Sequence, residues 1–591
     1  MLESSRLRGA GERPARRQGA RIRLRRAFVV FSTVALGVGI AGPASATAVS
    51  VNCSTGGDLQ AKLDSVASGG TILVSGVCLG NFIVDGRSVT IKGNPTATLD
   101  GNDLGRTLEI DNTVGKTIHL VGLTITGGVA PSGAGISKQA GRLTLSRTTV
   151  AGNLVEGDFG QPSGGGISSS KGNVTLTNSK VRGNRVLATG TATFALGGGL
   201  SLLNGNLTAI RSTISGNRTT AHPTAPQFSA IGGGVYLDGG SLVLQASTMS
   251  GNRVVASAAG DMFAYGTAAY AGSIGHTKIS GSLITGNVAT ATSSAASSQA
   301  GQTLYLLNEP VSIARTRITD NSATATSPGG ADAEAGGVYS QLGLTLSDST
   351  VDGNEISATS TGDKALAEGG GIETSQTTKV VRSTLSRNRV SARTSASGFQ
   401  ANAWGGGGYV GDLTASNSTI ALNAVSASSG PGGHAYVDGA GLDASGCCSI
   451  VSSTIAGNSL SITGPSAGVY GGGLYTTSGM SIEGTILANN TSVTGPDCYG
   501  SSSGPTSKGH NLIRKATGCN FTKAGTDKVG VDPKLGPLSS NGGPTQTMAI
   551  ALGSPARDAI PTPCPVKRDQ RGVQRPQGPG CDIGAYERKA A

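Results

Sequence analysis

Aromatic side chains are scarce in this chain: one Trp, 11 Tyr and 9 Phe among 591 residues. Charge is scarce too, with Asp, Glu, Lys and Arg making up 14%. Leu, Glu and Lys are too few for a helical protein. The longest apolar run, Ala27–Ala41, is shorter than the roughly 20 residues a membrane span needs, and Gly37 and Gly39 interrupt it. No C-x-x-C pair suggests zinc, and no Gly-Gly-x-Gly-x-Asp repeat suggests calcium. The five histidines (His119, His222, His276, His434, His510) are dispersed and fit no Ser-His-Asp order. Lys and Arg form no basic run beyond the leader, which argues against nucleic acid as a partner. No cofactor or metal is expected.

What the chain has is 95 Gly, with much Ser, Thr and Ala and a steady recurrence of Val, Ile and Leu. That composition suits thin stacked β-structure with many tight turns. The first 46 residues stand apart. Nine Arg precede residue 27, then comes the apolar run, then "GPASATA" with Ala44-Ser45-Ala46. This is the pattern of a secretion signal, so the mature chain is expected to be secreted or at the cell surface, with no stable membrane span. "RRAFV" (25–29) resembles a twin-arginine export motif. The formal +12 falls to near +5 once the leader's nine Arg and two Glu are removed. Eight Cys in an exported chain suggest disulfides, and locality favours Cys53–Cys78, Cys498–Cys519 and Cys564–Cys581. Cys447 and Cys448 stay open between a vicinal bond and free thiols.

The central signal is a repeat. A hexapeptide of the form Ser-Thr-apolar-x-Gly-Asn recurs, as in "STISGN" (212–217) and "STIAGN" (453–458). Its final Asn falls at Asn153, Asn184, Asn217, Asn252, Asn287, Asn321, Asn354, Asn388, Asn423, Asn458 and Asn489, a period of about 34. A Gly cluster followed by an apolar residue recurs with the same period, as in "GGGL" (197–200) and "GGGI" (369–372). Between the two landmarks apolar residues occupy every second position, which is a strand pattern. The body from Gly cluster to Asn holds near 20 residues, whereas the arm from Asn to the next cluster varies. A solenoid of stacked parallel coils explains this: each rung must register, while one side is free to change length. Asn side chains stacked at a corner can bond rung to rung. The arms, rich in alternating Ala, are expected to form a thin ribbon beside the helix, and either to carry recognition or to serve as inert spacers.

The spacing resembles bacterial right-handed parallel β-helix proteins, and also the repeats of polymorphic outer-membrane proteins. "DPKLGPLSSNGGPTQTMAIALGSPARD" (532–558) and "DQRGVQRPQGPGCDIGAYE" (569–587) resemble the choice-of-anchor Q domain of bacterial surface proteins. The expected organisation is a signal at 1–46, an N-terminal cap and first coils at 47–130, repeats at 131–495, and a small capping domain at 496–591. The fold class is all-β, a right-handed parallel β-helix. Its N-terminal helical cap has Asp58 as N-cap and Leu59, Leu63 and Val66 on one face.

The residue after each Gly-Gly-Gly-apolar element should point outward. Counted so, the column reads Ser168, Ser201, Tyr236, Ala271, Tyr305, Tyr339, Glu373, Val410, Asp443 and Tyr475. Tyr236, Tyr305, Tyr339, Glu373, Asp443 and Tyr475 are the candidate glycan-binding residues, although an ordinary run of β-formers reads the same way. Glu373 and Asp443 would lie two rungs apart, roughly 10 Å. The function expected is structural or adhesive, in a monomer whose partner is a polysaccharide or cell-surface glycan. The alternative is a β-helix polysaccharide lyase or glycoside hydrolase, although no catalytic residue can be named and enzyme activity stays open.

Overall fold

A computed structural model describes residues 48–589, apart from 112–113, 273–274, 308–309 and 465–466. The signal at 1–46 lies outside the described residues. The chain is a parallel β-solenoid, and each middle coil contributes five short strands. In the coil that starts at Gly197 these are a front strand (Leu200–Leu203), a base strand (Leu207–Ile210), a corner strand (Thr213–Ser215), an outgoing arm strand (Arg218–Ala221) and a returning arm strand (Gln227–Ile231). Each strand pairs in parallel with its equivalent in the next coil, and equivalent residues fall in register: Leu200 on Val235, Ile214 on Met249, Ala230 on Ala264. The arms are therefore regular β-structure, two strands joined at a tip, and strand and tip lengths both vary.

The coil is pinched into two compartments. Front, base and corner strands enclose large aliphatic side chains, Leu200, Leu202, Leu207 and Ile214 among them. The two arm strands face each other across a thinner core made largely of alanine, such as Ala221, Ala230, Ala256 and Ala264. Small side chains at every second position set that thickness. Each fully buried Val, Leu or Ile contributes roughly 1.5–3 kcal/mol, so the wider compartment holds most of the apolar stabilisation.

The repeated letters define the waist. Asn184 donates its side-chain N–H to Asn217 Oδ1, and the same bond recurs from Asn153 onward at 2.8–3.0 Å. Opposite this ladder runs the Gly cluster. A Cβ on Gly199 would meet the Asn217 side chain at 3.0 Å, and one on Gly198 would meet the Arg218 backbone at 2.6 Å. Glycine lets the two walls touch there. The first Ser of the hexapeptide is also buried and forms a second ladder: Ser179 N–H donates to Ser212 Oγ, and Ser212 N–H to Ser247 Oγ, both at 3.1 Å. Ser lies inside there because its hydroxyl caps the backbone of the rung before.

One ladder residue is corrected. Asn489 is exposed and has φ +61°, the conformation that Gly216 takes in its own coil. Asn490 takes the ladder place and accepts from Asn458 at 2.9 Å. The repeat "TILANN" (485–490) has Asn where most others have Gly, so counting to the first Asn stops one residue early.

The N-terminal end is closed. The helix Leu59–Ser65 lies over the first coil, with Asp58 accepting from the Ala61 N–H and Leu59 and Leu63 buried. Cys53–Cys78 pins it, with Cα atoms 5.0 Å apart. The other two disulfides are Cys498–Cys519 and Cys564–Cys581. Cys447 is an exposed free thiol and Cys448 a buried one. Coils continue past 495: Tyr499–Gly500, Thr506–Gly509, Leu512–Ile513 and Lys528–Val529 extend the stack. The segment from Asp532 on does not cover the end. It doubles back along the outer face of the corner strands, where buried Gln570 accepts from Thr419 Oγ1 at 2.7 Å and donates to Thr384 Oγ1 at 2.9 Å. Further along, the Gly584 N–H donates to Gly484 O at 2.8 Å. Among the described residues no helix is long and apolar enough to cross a membrane.

Candidate functional site

Outward residues of the front strands form one column. Strand register stacks Tyr236, Tyr270, Tyr305, Tyr339, Glu373, Tyr409, Asp443, Tyr475 and Tyr499 in sequence. All six candidates named from the sequence, Tyr236, Tyr305, Tyr339, Glu373, Asp443 and Tyr475, stand in it. Ala271 and Val410 do not: both face the core, at 0% and 1% exposure. The turns "GTAAYA" (266–271) and "GGGGYV" (405–410) do not carry three Gly, so counting from the glycines slides by one, and Tyr270 and Tyr409 take the outward places. The rings touch, with centroids 5.1 Å apart for Tyr236–Tyr270, 5.2 Å for Tyr270–Tyr305 and 5.1 Å for Tyr305–Tyr339.

A second column runs beside the first. The last outward residue of each returning arm strand stands just before the Gly turn, and in sequence these are Tyr265, Gly301, Glu334, Glu368, Trp404, Asp438 and Tyr470. The turn folds this column toward the front one. Trp404 and Tyr409 lie 6.1 Å apart across it, Tyr265 and Tyr305 5.6 Å, and Tyr470 and Tyr499 4.8 Å. The result is a shallow concave groove parallel to the solenoid axis, walled by Tyr and Trp. Sequence reasoning missed the second column. Its signal was available: the residue immediately before each Gly cluster is aromatic or acidic in most coils from 265 to 470.

Six carboxyls line the middle of the groove: Asp332, Glu334 and Glu368 on one wall, Asp438 beyond them, and Glu373 and Asp443 on the other wall. None forms an ion pair among the described residues. Glu334 is held by the amides of Gln299 and Gln302, at 2.8 and 2.7 Å. Burial pushes Asp332 and Asp438 up to about 7, and Glu368 up to about 8 with Asp332 and Glu334 adding repulsion. Glu373 and Asp443 are raised well above the ordinary carboxylate range, first by burial and then by the neighbouring carboxyls. Glu373 is 8% exposed, its Oε2 lies over the Gly369 turn, and that oxygen has no hydrogen-bond partner among the described residues. Asp332 Oδ1 and Asp438 Oδ1 are also unpartnered. Beside Asp332 the wall opens into a recess of about 200 Å³ reaching Phe263 and Lys364.

The residues can therefore offer flat aromatic faces to a long ligand and acidic protons to its middle. Among the described residues no group of three or more His, Cys, Asp and Glu is placed to hold a metal ion. No protein-family model, curated protein or solved structure matches this chain.

Proposed function

We propose that this is an exported surface or secreted β-solenoid that holds an extended polysaccharide, such as a cell-surface glycan, along the tyrosine groove, in a structural or adhesive role. The observation that carries the reading is the unbroken run of half-buried Tyr rings at one per rung over four coils, from Tyr236 to Tyr339. The apolar faces of sugar rings pack on such rings, and the phenol hydroxyls remain free to bond sugar hydroxyls. A rung spacing of roughly 4.8 Å offers one contact after another to a linear polymer. Three disulfides fit an oxidising compartment, which supports export. The motifs in 532–587, similar to choice-of-anchor Q sequences, support display at a cell surface. In this structure those motifs also act mechanically, since Arg575–Glu587 and Arg571–Asp569 are buried pairs that shape the segment clasping the corner strands.

The test is a panel of soluble and insoluble polysaccharides offered to the mature protein, with Tyr305→Ala and Tyr339→Ala alongside. At least one polymer is expected to bind, and each substitution to weaken it by about 1–2 kcal/mol, in line with the loss of an aromatic contact. Equal binding by wild type and both variants removes the groove from the reading.

A further inference from the structure

Four of the six carboxyls of the groove are arranged symmetrically about one rung. Trp404 and Tyr409 form that rung. One coil before it stand Glu368 and Glu373, and one coil after it Asp438 and Asp443. Glu368 and Asp438 are half-buried on the returning strands, while Glu373 and Asp443 stand on the front strands of the other wall at 8% and 5% exposure. A structural acidic cluster would be neutralised by cations, yet none of these four has an ion-pair partner among the described residues, and the buried Glu373 Oε2 is an unpaired acceptor beside the rung.

We propose that this rung is a hydrolytic centre for a polysaccharide of uncharged sugars, with Glu368 as general acid and Asp438 as general base. This rests on the glycan reading above. A sugar ring seated on Trp404 and Tyr409 has one carboxyl on each side. The Glu368 carboxyl gives its proton to the glycosidic oxygen as the C1–O bond breaks. The Asp438 carboxylate takes a proton from a water whose oxygen bonds to C1. One water is consumed, one new reducing end appears, and proton exchange with solvent restores both groups. Two rungs separate the pair by roughly 9.6 Å. This is close to the roughly 6.5–9.5 Å that leaves room for water in inverting hydrolysis and far from the roughly 5–5.5 Å of a retaining pair. Burial supports the assignment, because it keeps Glu368 protonated to about 8 and leaves Asp438 half-ionised at about 7. A uronic acid polymer is disfavoured because the six carboxyls have no ion-pair partner among the described residues, so the rung offers no cation to hold a uronate. That also disfavours a lyase, whose substrate must carry a uronate.

The experiment takes polymers that bind the mature protein and measures new reducing ends over time, with the anomeric form of the first product read by proton NMR. Wild type is expected to release ends with inversion. Glu368→Gln and Asp438→Asn are expected to bind as wild type and to lose activity by roughly 10²–10⁴-fold. Retained binding shows that these near-isosteric variants are folded. Binding by wild type with no release from any bound polymer overturns the catalytic centre and leaves the glycan reading standing. Full activity in both variants, or retention of configuration, overturns the residue assignment. Failure of every polymer to bind removes both readings together.

Discussion

Replacing Asn252 with Ala probes the ladder at mid-solenoid. The Asn252 side chain takes part in four hydrogen bonds. It donates to Asn287 Oδ1 at 2.9 Å and to Ile214 O at 3.0 Å, and it accepts from the Asn217 N–H at 3.2 Å and Asn217 Nδ2 at 3.0 Å. Alanine removes all four and leaves two donors on Asn217, which is 0% exposed, without that acceptor. A buried group stripped of its partner costs about 1–3 kcal/mol, so the loss is expected to be about 2–6 kcal/mol. The ladder also has a direction. Side-chain N–H groups point toward the C-terminal coils, and the series ends where Asn490 donates to Asp497 Oδ1 at 2.9 Å. An acceptor-only carboxylate suits the last place, where nothing further needs a donor, and Asp497 Oδ2 takes the Lys515 N–H at 2.7 Å instead. Asn252→Asp is therefore expected to be at least as damaging as the alanine, since it sets oxygen against Ile214 O and Asn287 Oδ1. Guanidinium unfolding and thermal melting measure both, with Ser250→Ala on the outer face of the same coil as control. Hydrogen exchange at Asn217 and Asn252 should rise in step. If Asn252→Ala falls within about 0.5 kcal/mol of the control, or Asn252→Asp equals wild type, the directional ladder is wrong.

The groove carboxyls make a second prediction. Asp332, Glu368 and Asp438 ionise near 4 in an unfolded chain but only at about 7–8 when folded, so the folded state holds extra protons between those limits. Their contribution is full below about pH 4 and is lost as pH rises through about 8. Thermal melting from pH 5 to 8 is expected to show Glu368→Gln gaining stability relative to wild type as pH rises; a constant difference refutes the burial argument. Gln570→Ala empties the centre of the clasp on Ser383, Thr384 and Thr419, and limited proteolysis should then cut near 530–535 before the solenoid is touched. Unchanged cleavage would mean the clasp is held elsewhere. Replacing Cys564 and Cys581 with Ser opens a loop of sequence separation 17 and is expected to remove roughly 3 kcal/mol from that segment's stability, read by the same proteolysis.

Much was legible because a solenoid is nearly one-dimensional. Its period, the apolar column through Ile214, Met249 and Ile284, and the buried Asn series depend on neighbours one coil away, and one coil is a fixed distance in sequence. The alanine alternation of the arms gave their thinness for the same reason. Even the clasp left a trace. The outward corner positions are polar at Arg182, Ser215 and Ser250 but become alanine at Ala421, Ala456 and Ala488, where the C-terminal segment covers them. Tertiary structure decided what the period cannot encode. Turns of unequal glycine count moved Tyr270 and Tyr409 outward, and an Asn in the left-handed turn place kept Asn489 out of the ladder, because register is set by backbone pairing rather than by letters counted from a landmark. The groove exists only because the Gly turn folds the returning strand against the front one. That angle brings Trp404 to Tyr409 and sets Glu368 beside Glu373. Two residues five apart in a strand-turn-strand could equally face opposite ways, and the contacts between whole coils choose which.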